Sequence, residues 1–242
     1  MTDATRGEVL RYYDGGLELH GEVYRPARSS NGRAMLVVHE ADGIGGNVRR
    51  HCAMLADLGY TVLAADMHGL GRVLEGDEMM AALDRFRGDP DYLRDRVRAA
   101  LDALLALGVA GPEQTAAIGY CFGGFSVLEL ARSGAPLRAV GSFHGLLTTS
   151  RPAVAGQTMP AIAVYTGALD PLVPPDHVAG FQAEMMAAGA DWQMTIYGRA
   201  LHSFTNKDVA NLRDSRMAYD ARAHEQSWAA LLAFLDASLN LG

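Results

Sequence analysis

Ile118-Gly119-Tyr120-Cys121-Phe122-Gly123-Gly124 is the stretch on which the reading of this chain turns. It follows a short run suited to a buried strand, Thr115–Gly119, and leads into a helix-compatible apolar segment, Phe122–Arg132. Glycine two positions to either side of a central residue, between strand and helix, is the pattern of a sharp turn that lifts one reactive side chain above the end of a sheet. The central residue here is a thiol, Cys121, where a hydroxyl is more common. Phe122 opens the helix, so its N–H lies where partial positive charge favours a thiolate or an oxyanion. The competing reading is a buried Cys in a Gly-rich turn or a phosphate loop, and the segments on either side decide between them.

Working outward, short strand-like runs alternate with helical ones. Val9–Tyr13, the turn Asp14-Gly15-Gly16 and Leu17–Tyr24 read as a hairpin. Met35–His39, Thr61–Ala65, Ala139–Phe143, Ala161–Tyr165 and Trp192–Tyr197 read as further strands. Helices are expected at about Asn47–Leu58, Asp91–Leu107, Phe122–Arg132, His177–Ala188 and Ala221–Leu235. In the second of these, Leu93, Val97, Leu101, Leu104 and Leu105 share one face. Alternation of this kind predicts an α/β fold: one domain over residues 1–242, a mostly parallel, doubly wound sheet with helices on both faces. Ligands bind such sheets beyond the carboxyl ends of the strands.

Composition narrows the function classes. The 242 residues are 49% hydrophobic and 20% charged, an ordinary globular balance. A net charge of −7 argues against nucleic acid as partner, since phosphate binding needs a clustered basic excess. Apolar runs such as Ala34–Val38 are far too short to span a membrane, and the first residues lack the apolar core of a signal peptide. Two cysteines, Cys52 and Cys121, cannot form a disulfide framework, and a cytoplasmic location is expected. Cys52 falls within an apolar helix with no flanking glycines and reads as core.

A turn nucleophile requires an acid and a base downstream, in that chain order. After Ala161–Tyr165 comes Thr166-Gly167-Ala168-Leu169-Asp170-Pro171, and after Trp192–Tyr197 comes Gly198-Arg199-Ala200-Leu201-His202-Ser203-Phe204. Asp170 and His202 therefore both stand just past strand ends, and Cys121, Asp170 and His202 are the expected catalytic set. His202 would take the thiol proton, while Asp170 would fix its tautomer and stabilise the imidazolium. His39, His68 and His144 also stand near strand ends and are candidates for the pocket wall, but no H-E-x-x-H or Cys cluster marks a metal site. The Asp42-Gly43-Ile44-Gly45-Gly46 run lacks both the dinucleotide spacing and the P-loop Lys.

With these residues in hand, the chain resembles the dienelactone hydrolases, α/β-hydrolases with a cysteine nucleophile, over nearly its whole length. The resemblance rests on Val37-Val38-His39-Glu40, Ala65-Asp66-Met67-His68-Gly69, Gly119–Gly124, Gly167-Ala168-Leu169-Asp170-Pro171 and His202-Ser203-Phe204. It implies a cofactor-free hydrolase of small ester or lactone substrates working through a thioester. It also implies that Glu40 contacts the resting thiol, and that the Ala41 and Phe122 N–H groups form the oxyanion hole. One departure concerns substrate: Asn206 stands where the family places an arginine that holds a substrate carboxylate, and Leu74–Leu83 offers no second Arg. Arg72, Arg199, Asn206, Lys207 and His144 are the remaining candidates for substrate contacts. Rival readings are a thioesterase or general carboxylesterase, a non-catalytic binding protein on the same fold, and a thiol redox sensor. Nothing in the sequence fixes an oligomeric state.

Overall fold

Runs with no polar alternation, such as Ala34–Val38 and Thr61–Ala65, suit strands covered on both faces, and both become fully buried central strands. A computed structural model of the chain describes residues 6–240. The first five residues, where part of the leader reading falls, and the last two lie outside the described residues.

The strands are β1 (Glu8–Asp14), β2 (Leu17–Tyr24), β3 (Ala34–Val38), β4 (Thr61–Ala65), β5 (Thr115–Tyr120), β6 (Ala139–Phe143), β7 (Ala161–Gly167) and β8 (Trp192–Tyr197). The helices are α1 (Gly46–Asp57), α2 (Gly76–Gly88), α3 (Pro90–Ala106), α4 (Phe122–Arg132), α5 (Pro175–Ala188) and α6 (Ala221–Leu239). The eight strands form one sheet in the order β1-β2-β4-β3-β5-β6-β7-β8. The β1–β2 and β2–β4 pairs are antiparallel, and the rest of the sheet is parallel. This is the mostly parallel, doubly wound α/β sheet expected from the alternation, and the α/β-hydrolase fold that the resemblance implies.

Each sheet face has its own core. On one side Leu83, Phe86, Leu93, Val97, Leu101, Val127, Leu130 and Phe181 bring α2, α3, α4 and α5 onto the sheet. On the other, Val48, Cys52, Leu55, Leu231 and Leu235 bring α1 and α6. Cys52 is fully buried there, as its helical setting implies.

One element differs from expectation. Gly76–Gly88 carries no expected helix, but it forms α2, and only Asp89 separates it from α3. Asp89 caps α3 by accepting the Tyr92 N–H at 3.1 Å, with Pro90 in the first turn. Two helices therefore follow β4 in succession. No helix among the described residues is long and apolar enough to cross a membrane.

Candidate active site

The turn at Cys121 works because its glycines leave no room for anything larger. A Cβ on Gly119 would fall 2.1 Å from the Gly123 carbonyl oxygen, and one on Gly123 would fall 2.1 Å from that of Val38. The start of α4 thus lies directly against the ends of β3 and β5. Cys121 itself sits at φ 54, ψ −113, a region costly for a residue with a side chain, by about 1–3 kcal/mol. Its backbone N–H is shared between the Phe143 carbonyl oxygen at 3.0 Å and His144 Nδ1 at 3.1 Å.

The three residues expected from chain order come together. His202 Nε2 is 3.0 Å from Cys121 Sγ, and His202 Nδ1–H donates to Asp170 Oδ2 at 2.7 Å. The second Asp170 oxygen accepts the Leu172 N–H at 2.8 Å, which fixes the carboxylate plane. Asp170 and His202 are buried, whereas Cys121 remains partly accessible. His202 is also held by its backbone. Its N–H donates to Arg216 O and its carbonyl accepts from the Ala218 N–H, both at 3.2 Å. Burial opposes the imidazolium, but the Cys121 thiolate beside one nitrogen and Asp170 on the other outweigh it and raise the His202 pKa. The arrangement can store an ion pair between thiolate and imidazolium.

Around this pair lies a narrow cleft with a cavity volume of only about 20 Å³, walled by Arg87, Phe122, Phe125, Leu146 and Leu172 together with Cys121 and His202. Its cation, Arg87, comes from the last turn of α2 and lies 3.9 Å from Asp84. Arg87 is not among the residues expected from sequence. The signal is present, since Met79, Leu83 and Phe86 repeat at helical spacing and carry the helix on to Gly88.

Glu40 and Ala41 follow the end of β3. Glu40 Oε2 accepts a hydrogen bond from Asn206 Nδ2 at 3.0 Å, while Oε1 is buried without a partner. The expected contact between Glu40 and the resting thiol is not formed: the thiol lies on His202, and Glu40 on Asn206. Burial, with Asp42 nearby, pushes the Glu40 carboxyl up to about 7. Phe122 opens α4, so its N–H has no acceptor within the helix.

The other expected substrate contacts need correction. His144 does not line the pocket; it is fully buried beneath Cys121, with Nε2 2.9 Å from Thr205 Oγ1. Its ring is held between the Cys121 N–H and Thr205, on a backbone at φ 40. Arg72 is exposed and ion-paired with Glu78. Lys207 is exposed, with its ammonium 6.0 Å from the Tyr219 ring. Arg199 is exposed on the loop after β8 and is not part of the pocket wall. Asn206 is occupied with Glu40 and holds no place on that wall either.

Comparison with known proteins agrees with this fold. The model of the dienelactone hydrolase family matches residues 19–239. The crystal structure of P91, a dienelactone hydrolase-like promiscuous phosphotriesterase from metagenomic libraries, superposes with a TM-score of 0.90 at 36% identity, over 96% of this chain and 97% of that one. A second solved structure, m3DLH, gives 0.89 at 35% identity over the same shares. A Caenorhabditis elegans relative, the uncharacterized protein K02A2.1, is 36% identical over 149 residues, which is 59% of this chain and 92% of its own. The chain is a hydrolase of the α/β-hydrolase fold and belongs to the dienelactone hydrolase family.

Proposed function

We propose that this chain hydrolyses activated esters or lactones by acyl transfer through Cys121, with His202 as base and acid and Asp170 as its orienter. The observation that carries this reading is the continuous contact from Cys121 Sγ to His202 Nε2 and from Nδ1 to Asp170, built on a strained turn at the sheet's carboxyl edge. The Cys121 thiolate adds to the substrate carbonyl carbon, a C–S bond forms, and the carbonyl electron pair moves to oxygen. The Phe122 and Ala41 N–H groups hold that oxyanion. Collapse breaks the C–O bond, and the leaving alkoxide takes the proton of the His202 imidazolium. His202 Nε2 then removes a proton from water as its oxygen adds to the thioester. Collapse of this second adduct breaks the C–S bond, releases the acid and restores the thiolate–imidazolium pair. Ester and water give acid and alcohol, with no co-reactant.

A thiolate is a better leaving group than an alkoxide, so the first adduct partitions forward only when the substrate's leaving group is itself good. Enol lactones and aryl esters meet that condition; amides do not. Arg87 at the rim favours a substrate with an anionic group beside the scissile bond, held against the apolar wall of Phe122, Phe125, Leu146 and Leu172. A Glu40 carboxyl raised to about 7 carries less negative charge near neutrality than an ordinary glutamate, which suits a supporting position behind Ala41.

The test is mass spectrometry of the intact protein mixed with 4-nitrophenyl acetate. The wild type should show a burst and an acetyl adduct on Cys121. Cys121→Ala should lose both, with turnover down by about four orders of magnitude or more. Retention of more than a few per cent of activity in Cys121→Ala would remove the mechanism.

A further inference from the structure

Two histidines outside the catalytic set grip the backbone on either side of Ala41. His39 is fully buried at the end of β3, and its Nδ1–H donates to the Glu40 carbonyl oxygen at 2.5 Å. Its Nε2 accepts the Met67 N–H at 3.1 Å, so a single tautomer satisfies both contacts. His68, from the loop after β4, directs Nε2–H to the Ala41 carbonyl oxygen at 2.9 Å. Consecutive peptide planes, 40–41 and 41–42, are therefore each pinned through their carbonyl. In a trans peptide the C=O and N–H point in opposite directions. Anchoring the Glu40 carbonyl to His39 consequently fixes the direction of the Ala41 N–H.

The loop that supplies these contacts is itself locked. Asp66 Oδ1 accepts the N–H groups of His68 and Gly69 at 3.0 and 2.9 Å, and Oδ2 accepts those of His20 and Gly71 at 2.8 and 2.7 Å. Arg96 Nη1 donates to the Met67 carbonyl at 2.5 Å. The two rings lie 4.9 Å apart, and His68 stacks on Phe122, the residue after the nucleophile, at 6.3 Å and 11°. One rigid assembly thus touches both backbone segments that the proposed mechanism uses as oxyanion donors. Burial holds both imidazoles below their ordinary pKa, which favours the neutral rings that this donor–acceptor pattern requires.

We propose that His39 and His68 are positioning residues that clamp the 40–41 and 41–42 peptide planes and hold the Ala41 N–H ready for the substrate oxyanion. The inference rests on the acyl-transfer reading above and adds the residues that preform its second oxyanion donor. Two flanking carbonyls held by neutral rings leave the donor no freedom to flip, so no reorganisation is needed when charge develops.

The variants are His39→Phe and His68→Phe, which keep ring volume but remove the donors, with His39→Asn and His68→Gln as rescues. An Asn amide reaches the place of Nδ1, and a Gln amide that of Nε2. Two reactions of each variant are compared: hydrolysis of 4-nitrophenyl acetate, and alkylation of Cys121 by iodoacetamide. Alkylation displaces iodide at a saturated carbon and forms no oxyanion. The Phe variants should lose about ten- to a hundredfold in kcat with KM changed less than about threefold, and alkylation rates should stay within about twofold of wild type. The Asn and Gln variants should recover most of the loss. Wild-type kcat in both Phe variants, or equal losses in hydrolysis and alkylation, would overturn the clamp. If His39→Phe does not fold, His68→Phe and His39→Asn decide alone, since His68 is only partly buried. Cys121→Ala serves as control. If it still hydrolyses the ester, the acyl-transfer reading fails; if it is dead while the Phe variants match wild type, only the clamp fails.

Discussion

Replacing Glu40 by Gln removes a charge from the site without touching the nucleophile, and its effect on stability has a definite sign. The Glu40 carboxyl is raised from 4.5 to about 7, first by burial and then by Asp42. At roughly 1.4 kcal/mol per pH unit, the ionised form costs the native state about 3 kcal/mol, and partial access of water to the residue reduces this to about 1.5–3 kcal/mol. Below the unfolded pKa the proton is bound in both states and nothing is lost. As pH rises from 4.5 towards 7 the unfolded chain releases its proton first, so stability falls; above about 7 the full cost is present. A neutral Gln keeps an oxygen for the Asn206 amide and carries no such cost. In urea denaturation, Glu40→Gln should match wild type near about pH 4 and exceed it by about 1.5–3 kcal/mol at about pH 8. The corresponding thermal shift is roughly 2–4 °C per kcal/mol. Iodoacetamide alkylation of Cys121 should also change its pH dependence, because Glu40 and His202 interact electrostatically. Equal stability at both pH values, or a wild type more stable at the higher one, would refute the burial argument. An unchanged alkylation profile would take Glu40 out of the site.

Two further outcomes follow from single contacts. Arg87→Ala should lower kcat/KM for an aryl ester bearing a carboxylate by about ten- to a hundredfold and leave its methyl ester within about threefold, measured on the same enzyme pair. Equal losses on both esters would show that Arg87 serves packing alone. Thr205→Val should cost about 1–3 kcal/mol in urea denaturation, because it strands the buried His144 Nε2–H, and Thr205→Ser should restore most of it. No loss in Thr205→Val would mean that His144 has found another acceptor.

The fold and the meeting of the candidate residues Cys121, Asp170 and His202 are legible because they depend on local signals. Apolar runs without alternation locate the central strands, and the glycines at 119 and 123 announce a turn in which, as the geometry shows, a Cβ would collide with backbone. Chain order then picks Asp170 and His202 from strand-end positions. What escapes depends on contacts distant in sequence. His144 and His202 both stand just past strand ends, yet the His144 ring is taken up by the Cys121 N–H and by Thr205, 61 residues away in the chain. Arg87 escapes because it lies at the far end of α2, beyond the stretch where a clamp is expected, and only the helical periodicity followed to Gly88 leads to it. The grips of His39 and His68 on Glu40 and Ala41 are bonds between side chain and backbone, which leave no periodic trace in sequence.

Asn206 and the raised Glu40 explain one another. An arginine in reach of the Glu40 carboxylate would offset the cost of burial and keep the acid ionised through neutrality. The Asn206 amide supplies a hydrogen bond but no charge, and Asn47 likewise brings no charge, so burial outweighs both and raises the Glu40 carboxyl to about 7. The positive charge of the pocket is instead carried by Arg87, on α2 at the rim. Charge selection by the substrate's side chain is thereby separated from the backbone that would bind the oxyanion. An anion drawn to Arg87 need not displace the partner of Glu40. With an arginine in place of Asn206, a single guanidinium would have to serve both carboxylates. On this reasoning the geometry is preformed: His202 Nε2 already stands against Cys121 Sγ, and the carbonyls on either side of the Ala41 N–H are already held by His39 and His68.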